Sequence, residues 1–364
     1  MRSPSTSPTR GCNGERAFSL VEMLVATAVL VLIMAMIASF TSQTGKIWKR
    51  SAEKIQSFQG ARAAYDAMTS HLSQATLNAY LDYYDSTLSP RTPANSLTFV
   101  PSSYARNSAL HFVVDQASKI VPNDQESHPG QAVFFLAPLG FTQTASTFGN
   151  LPNMLNACGY YVEFNSDRPN IPSFLTSLPG IKERYRYRLM EFLQPTESLG
   201  IYSLPSTGSA SQYDQWFANF LPPNLAVSSA PLRTMAENII ALVILPELST
   251  RDRANTGTPL APLYTYDSRA GDITQVSHHQ LPPLLRVVMV AIDETSAAHL
   301  TPPGTTAPPS SVNGLLTGSG ALFQTASQID ADLVTLSNAL VAQHVNYRIF
   351  DTDIAIRGAR WSTQ

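Results

Sequence analysis

Cysteine is nearly absent, with only Cys12 and Cys158 in 364 residues. Two cysteines cannot build a disulfide framework, and without a CxxC pair they supply neither a zinc site nor a redox motif. Cys158 lies in the apolar stretch Cys158-Gly-Tyr-Tyr-Val, where a single thiol reads as a packed core residue. Charge is scarce too, at 14% of residues against about 25% in an average soluble protein. The 24 Lys+Arg against 26 Asp+Glu leave a net charge of −2, so no global basic field recruits nucleic acid. This composition excludes a charged disordered tail, a coiled coil and a multi-span membrane protein. The 26 prolines and 44% hydrophobic content lean instead toward a β-rich extracytoplasmic protein.

The chemistry of an enzyme is also missing at the level of motifs. There is no GxxxxGK[ST] phosphate loop, no GxGxxG fingerprint, no GxSxG elbow, and neither HExxH nor HxH. Ser residues cluster in turn-rich stretches without a paired His motif. The residues imply no cofactor and no metal, and the expected class is a non-enzyme.

Proline is absent from Pro8 to Pro90, and that gap holds the most informative part of the chain. Residues 1–17 are polar, with Arg2, Arg10 and Arg16 against Glu15. From Met23 through Gly45 no residue is charged, which is 45 − 22 = 23 positions. At 1.5 Å per residue this is about 34 Å of helix, enough to cross the hydrocarbon core of a bilayer. The run has no small-residue cleavage site behind it, unlike a secretory signal. The arginines before it place the N-terminus in the cytoplasm and the remainder outside, by the positive-inside rule.

Glu22 interrupts this picture. A carboxylate in an apolar span costs about 2.5–3.5 kcal/mol, so it either reaches water at the membrane edge or finds a cation. Phe18 stands four residues earlier, and a cut before it would create such a cation, its own α-amine. The stretch Arg16-Ala17-Phe18-Ser-Leu-Val-Glu22-Met-Leu24 resembles the processing signal of type IV prepilins and type II secretion pseudopilins. The resemblance implies cleavage by a prepilin peptidase between Ala17 and Phe18, N-methylation of Phe18, and an assembly role for Glu22 as the fifth mature residue. It also implies pilin-like partner subunits that pack through the N-terminal helix. The family usually has Gly before the cut, where this chain has Ala17.

Trp48, Ala52, Ile55, Phe58, Ala61, Tyr65, Met68, Leu72, Ala75 and Ala79 continue at three- and four-residue steps, the stripe of an amphipathic helix. The polar face includes Lys46, Lys49, Arg50, Arg62, Asp66 and His71. The expected organisation is therefore a leader over 1–17, a transmembrane helix over 18–45, its amphipathic extension over 46–85, and a globular domain over 90–364. One helix would run from Phe18 to about Leu81.

After Pro90 short apolar runs alternate with Pro, Gly, Ser and Asn. Strands are expected at 96–100, 109–114, 132–137, 158–164, 185–192, 238–245, 284–292 and 346–356, with a helix at 328–343. This predicts an α+β fold: a long helix followed by a mainly antiparallel sheet domain. The runs Ala236–Pro246 and Leu281–Val290 are similar to sheet strands of the type II secretion minor pseudopilin J. Together with Tyr185–Phe192 and the ending Tyr347–Trp361, they resemble the Verru_Chthon cassette protein C family. That likeness implies a pilin-like envelope component, without a biochemistry.

Two polar patterns remain. Arg184, Arg186 and Arg188 alternate with Tyr185, Tyr187 and Leu189, which puts three arginines on one strand face. They form either an anion or partner patch, or a solvated face paired with acids such as Glu163, Glu191 or Asp351; the second is the simpler reading. His278 and His279, with Asp272, Asp293 and Glu294 nearby, are the nearest approach to a metal set. Neighbours on a strand point to opposite faces, so the pair reads as solvated loop histidines. A membrane-tethered binding module, adhesin-like, and a tethered hydrolase using these histidines are the alternatives to a pilin-like subunit.

Overall fold

The computed structural model describes residues 20–122, 127–149, 151–168, 171–172, 174, 183–202, 214–226, 229–256, 259–270, 273, 275–318 and 320–362. Ala17, Phe18, Cys12 and Asp272 lie outside these residues. The chain divides into two units, Met1–Ile55 and Gln56–Gln364.

Helix α1 runs from Leu20 to Ser73. Its first part, Leu20–Gly45, has a mean hydropathy of 2.7 and none of it is buried. It is long and apolar enough to cross a membrane, as the charge-free run predicts. Inside the second unit the amphipathic stripe packs as its spacing dictates: Ala61, Ala64, Tyr65, Met68 and Leu72 are buried. Trp48, in the same stripe, is exposed in the first unit.

The helix stops short of the expected Leu81. Beyond Ser73 the backbone finds partners elsewhere in the fold: the Thr76 N–H donates to the Leu136 carbonyl at 2.9 Å, and the Arg357 N–H takes the Ser73 carbonyl at 2.9 Å. Asn78 Oδ1 then accepts from the N–H groups of Ala109 and Leu110, at 3.0 and 3.2 Å. Residues within the expected 46–85 extension instead form strand β1, Tyr80–Tyr84.

β1 pairs with β2 (Ser103–Asn107) as a two-stranded ribbon. The remaining strands are β3 (Val113–Gln116), β4 (Gln131–Ala137), β5 (Asn156–Ser166), β6 (Tyr185–Gln194), β7 (Leu232–Glu237), β8 (Ile239–Glu247), β9 (Tyr266–Asp267), β10 (Leu284–Ile292) and β11 (Tyr347–Ala355). They form a six-stranded sheet in the order β7-β6-β5-β4-β3-β9 and a three-stranded sheet in the order β11-β10-β8. The pairings within both sheets are antiparallel. Helices α2 (Thr250–Thr256), α3 (Glu294–Leu300), α4 (Ser310–Leu316) and α5 (Ile329–Ala342) fill the connections. The fold is α+β, a long apolar N-terminal helix followed by a mostly antiparallel sheet domain. The expected strand at 96–100 is a turn, held by the Asn95 carboxamide accepting from the Thr92 N–H at 2.7 Å, and Leu97 there is fully exposed.

The central strands of the six-stranded sheet are buried on both faces, and β4 shows how. Val133, Phe135 and Ala137 face the cluster that contains the end of α1 and strand β8. Ala132, Phe134 and Leu136 face a second cluster around Trp216 and Phe217. Period-two alternation of side chains thus serves two cores, and a strand apolar on both faces results. Cys158 of β5 is fully buried in the first cluster.

Candidate functional site

Glu22 sits in the first turn of α1 and is exposed, like every residue described in the apolar segment up to Gly45. Leu20 is the first residue described, and two residues after it Glu22 sets an acid on an otherwise apolar helix surface.

The arginines of β6 have partners, among them Asp167, Glu294 and Glu237. Arg184, which is exposed and just precedes the strand, donates through Nε to Asp167 Oδ2 at 3.0 Å. Arg186 is buried; its Nη1 reaches the Thr301 carbonyl at 3.0 Å and Oγ1 at 2.6 Å, and Nη2 reaches Glu294 at 3.4 Å. Arg188, at 1% exposure, donates to Asn165 O and Oδ1 at 2.6 and 2.5 Å and to Glu237 at 3.2 Å. A buried guanidinium is tolerated only with such a set of acceptors. Glu191 and Asp351 instead bind Arg233 and Arg286. The picture of a solvated arginine face is corrected for Arg186 and Arg188, because the sheet is covered on that side as well.

A polar junction absent from the sequence reading ties α1 to the sheet. Glu191 of β6 is fully buried. It accepts from Tyr160 Oη at 2.7 Å and from Arg233 Nε. Tyr160 Oη lies 2.7 Å from His71 Nδ1 in the last turns of α1. Since the Tyr160 hydroxyl proton points to Glu191, its lone pair accepts from His71 Nδ1–H, which fixes that proton. Burial pushes the Glu191 carboxyl up, but the bonds from His71, Arg233 and Tyr160 outweigh it and hold the group below its ordinary value. His71 was expected on the polar face of the helix; here it is half-buried and helps hold α1 to the sheet. Tyr160 and Glu191 are direct cross-strand neighbours, a pairing that 31 residues of separation hide from the sequence.

A second His–Asp pair looks catalytic and is wired otherwise. His111 is fully buried, with Nε2 2.6 Å from Asp267 Oδ1 and Nδ1 accepting from Trp216 Nε1 at 3.0 Å. Nε2 therefore carries the proton to the carboxylate, and the lone pair a general base would use is already filled by the indole N–H.

The histidine pair differs from its expected form. His278 and His279 lie in a turn, with ring centroids 4.1 Å apart, and His279 is buried, not solvated. Burial, then the neighbouring His278, lowers its pKa to about 3. Among the described residues no group of three or more His, Cys, Asp or Glu could hold a metal ion.

Asp214 lies beside this region, and burial raises its carboxyl to about 6 from 3.8. The protonated form is then favoured by the fold, so its contribution is full below pH 3.8 and is lost as pH rises through 6. Asp214→Asn, a neutral mimic, is expected to stabilise the protein at pH 7 by about 1–3 kcal/mol and to have little effect at pH 3.5. Urea unfolding at the two pH values checks this; equal shifts at both would contradict it.

Comparison with known proteins adds one finding and two blanks. Residues 12–38 match the family described as the Prokaryotic N-terminal methylation motif. No curated protein matches the chain, and no solved structure matches its fold. The matched residues span Ala17, Phe18, Glu22 and much of the apolar helix. The chain thus carries a prepilin-type methylation motif on a helix fit to anchor it in a membrane, which makes it pilin-like at its N-terminus and points to a structural subunit.

Proposed function

We propose that this chain is a minor, low-copy pilin-like subunit of a type II secretion or type IV pilus-like envelope assembly. The observation that carries this is the methylation motif over residues 12–38 set on a helix whose first turn holds Glu22. In this reading a prepilin peptidase cuts between Ala17 and Phe18 and the Phe18 amine is methylated. The N-terminus starts in the cytoplasm of the inner membrane and the sheet domain lies outside, in the periplasm or at the cell surface. The apolar helix then leaves the lipid to pack among the helices of other pilin-like subunits. There Glu22 pairs with the Phe18 amine of a neighbour, so that neither charge is left alone in a low-dielectric bundle. The roughly 275 residues after Pro90 are bulky for a repeating shaft, which favours the tip or another low-copy position. The resemblance of its strands to minor pseudopilin J and to the Verru_Chthon cassette protein C family implies a pilin-like envelope component and is in keeping with this reading.

Mass spectrometry of the membrane-extracted protein tests the processing step. The expected chain begins at Phe18 and is heavier by one methyl group. A chain that keeps residues 1–17 in cells with an active prepilin peptidase would favour a tethered module that does not polymerise.

A further inference from the structure

We propose that the C-terminal segment Arg357–Ser362 is a clasp that holds α1 to its observed length, and that releasing it lets the helix grow through residues 74–81. The sequence of this stretch is that of a helix: Ala75 and Ala79 continue the apolar stripe, and neither Pro nor Gly occurs between Gly60 and Pro90. The structure nevertheless ends the helix at Ser73. A local preference overruled by tertiary contacts marks a place where two conformations compete.

The contacts that overrule it can be named, beyond the burial of Ala75 and Leu77 and the pairing of Tyr80 and Leu81 with β2. Strand β11 delivers the segment to the helix end, where the Arg357 N–H donates to the Ser73 carbonyl at 2.9 Å. In a longer helix that carbonyl would accept from residue 77. Gly358 passes so close that a Cβ there would lie 3.0 Å from the Ala75 carbonyl oxygen. The far end is tied down by a reciprocal pair: the Ser362 N–H donates to Gln280 Oε1 and Gln280 Nε2 donates to the Ser362 carbonyl, each at 2.9 Å. On the other side of the joint the Thr76 N–H bonds Leu136, and the Asn78 carboxamide accepts from Ser108 Oγ at 2.8 Å as well as from Ala109 and Leu110. Arg357, Gly358, Arg360 and Ser362 are exposed, while Ala359 packs on the first cluster and Trp361 is half-buried.

Spin labels at Ser70 and Ala79, both exposed, in a Cys12→Ser background of the full chain in detergent micelles measure the joint. An unbroken helix puts these Cα atoms about 14 Å apart; residues 75–79 are not helical, and an extended course there, at about 3.3 Å per residue, would put them farther. The parent chain is expected to show the longer distance. Gly358→Val and Asn78→Ala each loosen one side of the joint, and each is expected to add a narrow population at the short distance. Hydrogen exchange in β5 and β6, measured alongside, should stay at the parent level. A distance distribution that is unchanged or merely broad in both variants would overturn the proposal. So would loss of protection throughout the sheet, since the segment would then belong to the cooperative core.

Discussion

Replacing Glu22 with alanine is expected to abolish incorporation into any filament or pseudopilus while the protein still accumulates in the membrane. The reason is electrostatic. In the proposed reading Glu22 stands, before assembly, at the membrane edge within reach of headgroup water. Between the apolar helices of an assembly that water is gone, and an α-amine from a neighbour would have to satisfy the carboxylate. Without the carboxylate, the partner's amine is the uncompensated charge, and breaking a buried pair costs about 3–5 kcal/mol. Repeated at every contact, such a cost is large enough to stop assembly. Glu22→Gln is expected to fall between alanine and the parent, since it keeps an acceptor but not the charge. Cross-linking between subunits, read beside membrane content, checks this. Full incorporation of Glu22→Ala would remove the assembly role proposed for this residue.

The second large effect belongs to the sheet domain. Phe134 is fully buried and stacks on Phe217 with ring centroids 3.8 Å apart. Its edges meet Phe192, Trp216 and Tyr161. Gly159, its neighbour on β5, has no room for a Cβ without colliding with that ring. Phe134→Ala removes the centre of this cluster and is expected to cost about 3–5 kcal/mol. Tyr161 and Phe192 are held by their strands and Trp216 and Phe217 by the short helix Gln215–Ala218, so the rings cannot readily collapse into the space. Chemical denaturation of the detergent-solubilised chain measures it, and a loss under 1 kcal/mol would mean that the Trp216 segment is not firmly seated on this face.

How much of this was legible in the amino acids depended on whether the signal was local. The membrane-length run, the strands at 132–137, 158–164 and 284–292, and the helix at 328–343 all announce themselves within one window, and the structure has elements at each of them. The end of α1 does not, because Thr76, Asn78 and Arg357 find partners from distant parts of the chain. The ribbon of β1 and β2 escaped for a related reason. Its burial is partial, with Tyr84 and Ala105 inward and Leu81, Tyr83 and Tyr104 outward, and the intervening residues resemble a strand more than it does. On β6 the alternation sets Arg186 and Arg188 against Tyr187 and Leu189, with Arg184 just outside the strand. The burial of both faces was not readable, since it comes from the Trp216 segment on one side and from α1, β8 and α3 on the other, all elsewhere in sequence. The Glu191 junction shows the same limit. An acid inside an apolar strand was visible, but not the tyrosine, histidine and arginine that make it tolerable.

The seclusion of Cys158 gives the molecule a built-in clock. The residue lies near the start of β5 and is fully buried, and burial, followed by the nearby Glu191, raises its thiol well above the ordinary value. Only a thiolate attacks an alkylating reagent at a useful rate, so the folded chain is doubly protected, by access and by protonation. After removal of residues 1–17 it would be the sole thiol in the chain. The rate at which a maleimide consumes it therefore counts how often the central strands part, and records each opening as a permanent covalent mark.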